Sequence, residues 1–314
     1  MRALFAIGIS RENWQTKVEQ RGNIAKTKSA AHTQAMHFPK FWTKANEGDT
    51  SAWGWSDSSV DDAKAKAVAQ LQKIRNWISA GGSAIPQRYG YPGRPMREEV
   101  LREFQDGNGQ AIAAVSRNSY GCLVLNTVNM LFVDIDLPGE TRGGGLFASL
   151  FGRKKEKPAA GPVEARIAEQ VQAWLATHPA WGWRVYRTCA GMRLLATHSP
   201  VEPEAPSVGE AFAAFDADPL YRGLCAHQKC FRARLTPKHW RCKVRKPPGR
   251  WPWESEKAEA AFQRWEQGYL NAAKDYATCR LTGHFGVTEI HPDLRELVEY
   301  HDKATRTDTE IPLA

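Results

Sequence analysis

Long apolar runs are missing from this sequence, and their absence limits the class of protein. No stretch reaches the about 18 consecutive apolar residues that a membrane-spanning helix needs. The N-terminal ALFAIGI is broken at Ser10 and Arg11, too early for a secretory signal peptide. Internal repeats are also missing. We therefore expect a soluble, cytoplasmic protein that has no membrane partner, keeps its six cysteines reduced and builds its core from a 42% hydrophobic composition.

Acidic residues are scarce beside basic ones, 34 against 43, which gives a net charge of +9. The stretch RLTPKHWRCKVRKPPGRW at 234–251 contains no acid and interleaves its basic residues with Trp240 and Trp251. Basic and aromatic residues together suit a phosphate backbone with stacked bases, although a solvated loop has a similar composition. The candidate nucleic-acid-binding residues are Lys238, Arg241, Lys243, Arg245 and Lys246.

Hydrophobic periodicity divides the chain into three regions. Residues 1–110 are predicted to be mainly helical, with an amphipathic helix over 56–78 and a short helix over 97–106. Residues 111–245 form the predicted core. Residues 246–314 are predicted to add two helices that pack against this core.

The core pattern begins with the strands YGCLVLNT and MLFVDIDL. From MLFVDIDL onward the order is strand, helix, strand, strand, helix, strand, with Gly191 in a strained position of the hairpin turn and a mobile insert at 138–161. This order is the split βαββαβ unit of RRM-like and ferredoxin-like folds. The predicted fold class is therefore α+β, with a sheet rich in antiparallel pairs and with helical N- and C-terminal additions.

Alternation along residues 131–137 places Phe132, Asp134 and Asp136 on one face of their strand, opposite the aliphatic residues. In the split unit this strand lies between the third and fourth strands, where Arg193, Arg232 and Arg234 should flank the aspartates. One interpretation is a Mg²⁺ or Mn²⁺ site whose metal carries a triphosphate held by the arginines. The other is a salt-bridge network without a metal.

The arrangement resembles the catalytic core of the archaeo-eukaryotic primase superfamily, which includes primase-polymerases, over residues 115–240. In that family a hydrophobic strand ends in Asp-x-Asp, matched here by FVDID. A second motif contacts nucleotide phosphate through a histidine, and YRTCAGMRLLATH offers Thr188 and Gly191, with Arg193 in place of that histidine. A third carboxylate is expected on a later strand. KCFRARLT contains none, which leaves three candidates: Asp216, Asp218 and Glu140.

The resemblance implies nucleotidyl transfer from nucleoside triphosphates on a nucleic-acid template, with Asp134 and Asp136 as catalytic metal ligands. The implied nucleotide-binding residues are Thr188, Gly191, Arg193, Arg232 and Arg234. The alternative is a non-catalytic nucleic-acid-binding protein of a replicon or phage that uses the basic loop at 238–250. A metal phosphoesterase or glycosyltransferase would also bind its metal through an Asp-x-Asp motif, but these enzymes usually place the two aspartates in a parallel sheet.

Two further patterns concern histidine and cysteine. The spacing Cys-x4-Cys-x8-His-x2-Cys suits a structural zinc ion, with buried free thiols as the alternative; its four residues are Cys225, Cys230, His239 and Cys242. His301 and Asp302, near the C-terminus, are predicted to be polar positions on a helix surface.

Overall fold

The computed structural model describes residues 36–82, 95–137 and 163–314, and shows an α+β fold with antiparallel sheets. The strands are β1 (Phe41–Glu47), β2 (Thr50–Ser56), β3 (Glu99–Gln105), β4 (Ala111–Arg117), β5 (Leu123–Thr127), β6 (Phe132–Asp136), β7 (Gly182–Thr188), β8 (Gly191–Ala196), β9 (Phe231–Arg234) and β10 (Cys279–Gly286). The helices are α1 (Val60–Ser79), α2 (Val163–Thr177), α3 (Pro206–Ala214), α4 (Pro219–Gln228), α5 (Glu256–Ala273) and α6 (Pro292–Thr305).

The main sheet carries the Asp-x-Asp strand and has the order β10–β7–β8–β6, with every pair antiparallel. The predicted β7–β8 hairpin is confirmed. The aliphatic side of β6, including Val133 and Ile135, belongs to the same core cluster as the buried residues of α2. On the opposite side of β6, the ring of His301 from α6 contacts Phe132, with the ring centroids 5.2 Å apart. Helices therefore pack against both faces of the sheet.

The second sheet has the order β3–β4–β5–β9 and is also antiparallel throughout. β9 does not pair with β6, because the start of α4 lies between the two strands. The hydroxyl of Tyr221 donates to the carbonyl of Phe132 (3.1 Å) and accepts from the N–H of Arg232 (3.3 Å). The N–H of Asp218 donates to the carbonyl of Asp134 (3.0 Å). These contacts satisfy backbone groups at the edge of β6 that a ladder with β9 would have satisfied.

The α+β class with antiparallel sheets is confirmed. The predicted place of β6 between the third and fourth strands of the split unit is wrong, since β9 belongs to the other sheet. The mainly helical character predicted for 1–110 is also wrong for its described residues, which include β1, β2 and β3. Pairing with β4 overrides the helix predicted over 97–106. The amphipathic helix over 56–78 is confirmed as α1, whereas the insert at 138–161 lies outside the described residues.

The C-terminal region contains the two predicted helices, α5 and α6, together with the strand β10, which the sequence pattern does not predict. The pattern also misses α4. The start signal for this helix is Asp218 followed by Pro219: the aspartate caps the first free N–H groups, and proline is favoured in the first turn.

Gly191 is required by close packing and not by turn strain, which corrects its predicted role. Its φ is not in the left-handed region, and a Cβ there would lie 2.0 Å from the carbonyl oxygen of Ile135. We expect Gly191→Ala to lower the free energy of unfolding by about 1–3 kcal/mol through overpacking against β6. Urea unfolding followed by circular dichroism measures the change. Gly107→Ala is the control because a Cβ at this exposed turn meets nothing within 4 Å; equal stability of the two variants would contradict the explanation.

Candidate functional site

Two rows of residues cross the main sheet where β6 ends. The strand register places Asp136 beside Gly191, and Gly191 beside Thr188. In the neighbouring row Asp134 lies beside Arg193. Directly opposed residues share a face, with Cβ atoms about 5 Å apart. The structure therefore brings together five of the predicted site residues.

The guanidinium of Arg193 is buried, with 1% of the residue exposed. Its Nε donates to Oδ1 of Asp134 (2.9 Å), and its Nη1 donates to the carbonyl of Arg234 (3.1 Å) and lies 3.3 Å from Nε2 of His301. Burial, the largest single effect, would lower the pKa of Arg193, but the charge and hydrogen bond of Asp134, together with Cys279 and Tyr221, raise it overall. Arg193 has almost no surface left for a phosphate. Its predicted role in nucleotide contact is corrected to positioning Asp134.

Asp136 is exposed at the end of β6, close to other carboxylates. Partial desolvation, followed by the charges of Asp218 and Asp134, raises the pKa of Asp136. Asp218 is held as the N-cap of α4, where its carboxylate accepts from two helical N–H groups at 3.3 and 3.1 Å. Among the candidate third acids, Asp218 is thus beside the pair, Asp216 lies in the turn before α4 with a φ of 51°, and Glu140 falls outside the described residues.

Basic side chains approach the same place from β9 and the loop that follows it. Partial burial and the like charges of Arg234 and Arg241 lower the pKa of Lys238 to about 8, although Asp136 opposes the shift. Burial also lowers the pKa of Arg234, whose Nε has no hydrogen-bond partner among the described residues. Below, the carboxylate cluster means Asp134, Asp136 and Asp218, and the basic cluster means Arg234, Lys238 and Arg241.

Arg232 does not join the basic cluster, contrary to the prediction. Its Nη2 donates to both carboxylate oxygens of Glu98, at 2.6 and 2.8 Å, and its Nη1 donates to Oε1 of Gln228 at 2.8 Å. This follows from the strand order, because β9 lies in the second sheet and places Arg232 next to the segment that precedes β3. Arg232 is therefore a structural residue.

A histidine–aspartate pair on α6 packs beside Arg193. The predicted surface position of this pair is wrong. His301 is fully buried, and its Nδ1 lies 2.9 Å from Oδ1 of Asp302. Asp302 also accepts from Arg184 and from the hydroxyl of Tyr186 (2.8 Å). Burial lowers the pKa of His301, which favours the neutral ring. The missed sequence signal is helical spacing, since His301 shares a face with the buried residues Leu294, Leu297, Val298 and Thr305.

The basic loop at 238–250 starts with a 3₁₀ turn, His239–Cys242, and continues without regular structure. Lys243, Arg245 and Lys246 are exposed, and none of the ion pairs in the described ranges involves them. The indole Nε1 of Trp265 on α5 donates to the carbonyl of Arg245 (2.8 Å) and holds the loop in place. These cations are available to an anionic partner.

The four predicted zinc ligands do not converge. Cys225, Cys230 and Cys242 belong to three separate hydrophobic clusters, and Nδ1 of His239 lies 2.9 Å from the carbonyl of Val244. Burial raises the pKa of Cys225 and of Cys230 to about 12, whereas zinc binds thiolates. These residues therefore do not assemble the predicted zinc site.

The carboxylate cluster offers a divalent ion a limited set of ligands. Over residues 36–82, 95–137 and 163–314, no three histidine, cysteine or acidic side chains are arranged to hold a metal. Mg²⁺, however, usually keeps several waters and binds through one or two carboxylates together with substrate phosphates. The ion pair with Arg193 uses Oδ1 of Asp134. The ligands that the protein would supply to such a metal are therefore Oδ2 of Asp134 and the carboxylate of Asp136.

Comparison of the chain with protein-family models, curated proteins and solved structures found no match. None of the helices in the described part of the chain combines the length and apolar character needed to cross a bilayer. The site must therefore be interpreted from its own geometry and charge.

The two aspartates of β6 should differ in their effect on stability. Asp134→Asn leaves the buried guanidinium of Arg193 without its counter-ion, and we expect a loss of about 2 kcal/mol or more in the free energy of unfolding. Asp136→Asn should be neutral or stabilising, because the raised pKa of Asp136 means that its ionised form opposes folding at neutral pH. Parallel urea unfolding at pH 7 measures both; a larger loss for Asp136→Asn would refute the assignment.

Proposed function

We propose that the protein is a metal-dependent nucleotidyltransferase that adds nucleotides from nucleoside triphosphates to a nucleic-acid end. This is the activity implied by the resemblance to primase-polymerases. The observation that carries the proposal is the meeting of the carboxylate cluster and the basic cluster at the end of β6, where the pKa of Asp136 is raised and that of Lys238 is lowered.

Each cluster is electrostatically unfavourable by itself. Partial burial and the charges of Asp218 and Asp134 raise the pKa of Asp136, so a divalent cation would stabilise its ionised form. Partial burial and the charges of Arg234 and Arg241 lower the pKa of Lys238, so an anion would stabilise its ammonium. A metal–triphosphate complex supplies both charges in one ligand. In a purely structural salt bridge, the pKa of Asp136 would instead be lowered and that of Lys238 would be raised.

The residues divide the work by position. Asp136 and Asp134 would hold the metal, which supplies charge neutralisation and activation of the attacking hydroxyl. Lys238 and Arg234 would bind the outer phosphates. Thr188 and Gly191, which lie in the same row of the sheet as Asp136, would contact the nucleotide bound there. Arg193 would keep Asp134 in position without touching the substrate.

Asp136→Asn is the cleanest test of the chemistry, because it removes a metal ligand and should preserve the fold. We expect extension of a labelled primer on a template, with nucleoside triphosphates and Mg²⁺ or Mn²⁺, to fall at least about 100-fold. Products are separated on a denaturing gel. Asp275→Asn, an exposed aspartate on the loop after α5, is the matched control. Full extension by Asp136→Asn would end the proposal.

Triphosphate binding should depend on pH through Lys238. The protonated ammonium binds the anion, so affinity for a nucleoside triphosphate with Mg²⁺ should begin to fall as the pH rises past about 8, where free Lys238 loses its proton. The nucleotide's own phosphates stay ionised above about pH 7. Calorimetry at pH 7–10 measures the effect. Lys238→Arg keeps its charge over this range and should remove the fall; the same pH profile in this variant would exclude Lys238 as its origin.

A second candidate is non-catalytic nucleic-acid binding, favoured by the exposed Lys243, Arg245 and Lys246. On this alternative, binding is salt-sensitive and unaffected by Asp136→Asn, and no nucleotide is incorporated by the wild type under any metal. The primer-extension experiment therefore separates the two candidates, since only the first requires Asp136.

A further inference from the structure

Two exposed aromatic side chains touch each other beside the basic cluster. Tyr120 is 44% exposed and Trp240 is 37% exposed, and their ring centroids are 5.5 Å apart in an edge-on arrangement. Isolated exposed aromatics are ordinary on protein surfaces. A touching pair that stays accessible on a strongly basic surface is the composition of a base-stacking platform. We call Tyr120 and Trp240 the aromatic pair.

The backbone turns that carry Tyr120 and Trp240 are held by hydrogen bonds and close packing. Oδ1 of Asn118 accepts from the N–H of Tyr120 (2.9 Å) and from that of Cys122 (3.1 Å). Gly121 has a φ of 76°, and a Cβ there would lie 2.5 Å from the ring of Trp265, so the turn is fixed against α5. Trp240 lies in the 3₁₀ turn His239–Cys242. A ligand that stacks on these rings would find their backbone already ordered, which lowers the entropic cost of binding.

The aromatic pair is connected to the candidate site through Lys238. The Nζ of Lys238 lies 5.3 Å from the ring centroid of Trp240, and the charges of Asp136 and Arg234 affect the pKa of the same lysine. On the other side, the chain runs from Trp240 directly into the exposed cations Lys243, Arg245 and Lys246. An unpaired base could therefore stack on the aromatic pair while its phosphates contact Lys243, Arg245 and Lys246. Lys238 lies between this surface and the carboxylate cluster.

We propose that this surface binds single-stranded nucleic acid, with an unpaired base stacked on the aromatic pair and the backbone following Lys243, Arg245 and Lys246. The proposal rests on the proposed function in taking nucleic acid as the partner, and it identifies where the strand enters the site. Double-stranded nucleic acid offers phosphates but keeps its base faces stacked inside the helix, so it could use the cations and not the rings.

The experiment is fluorescence anisotropy with a labelled oligothymidylate of about 20 nucleotides, in EDTA so that no metal is required. We expect Trp240→Ala and Tyr120→Ala each to weaken binding about tenfold, and Trp240→Phe to keep most of the affinity. Trp77→Ala, which removes a 51% exposed tryptophan on α1, is the matched control and should bind like the wild type. Melting curves of each variant check folding.

A salt series separates stacking from charge. The deficit of Trp240→Ala should stay constant as salt rises, whereas Lys243→Gln should reduce the slope of log affinity against log salt by about 0.7, the value for one single-strand phosphate contact. Equal affinity of Trp240→Ala and the wild type would overturn the proposal. A duplex bound as tightly as the single strand would overturn it too, because phosphates alone would then explain binding.

The two proposals fail separately. If the wild type binds oligothymidylate through the aromatic pair but never extends a primer, the nucleotidyltransferase proposal fails and the stacking surface stands. If primers are extended while Trp240→Ala binds single strands as the wild type does, the stacking proposal fails and the activity stands.

Discussion

The candidate site depends on one buried guanidinium, that of Arg193. Through hydrogen bonds and contacts to Asp134, to the carbonyl of Arg234 and to His301, it joins β6 of the main sheet, β9 of the second sheet and α6. Removing such a group from water is costly, and the ion pair with Asp134 and the hydrogen bond to the carbonyl of Arg234 offset that cost. The relative position of the carboxylate cluster and the basic cluster is therefore set by a side chain that itself has almost no surface.

The rest of the site is built around opposed, incompletely satisfied charges. Asp136 is exposed among carboxylates, Lys238 lies among cations, and the Nε of Arg234 is buried without a partner in the described residues. Folded proteins usually avoid such arrangements, and those that persist are often found where a ligand completes them. The contrast with Arg232, whose charge is fully matched by Glu98, shows what a purely structural arginine looks like in the same strand.

The sequence was sufficient for the local pattern and insufficient for the long-range one. Alternation along β6 correctly placed Asp134 and Asp136 on one face, and the hairpin turn correctly paired β7 with β8, because both follow from neighbouring residues. The order of strands could not be read in this way. It depends on α4 and its N-cap Asp218, which occupy the edge of β6, so that β9 pairs with β5. The burial of His301 is different, because it follows from a local pattern: His301 lies at helical spacing from the buried Leu294, Leu297 and Val298.

The pairing of β5 with β9 also has a consequence for synthesis of the chain. Until β9 has been synthesised, β5 is an edge strand, and the backbone groups on its outer side lack their final partners. The residues of β6, β7 and β8 all lie between β5 and β9 in the chain, so they are synthesised first. The second sheet is thus completed by a contact of large sequence separation, a step that is intrinsically slow. A chain that ends before β9 would present this open edge to other copies, which makes premature termination in this region a route to aggregation.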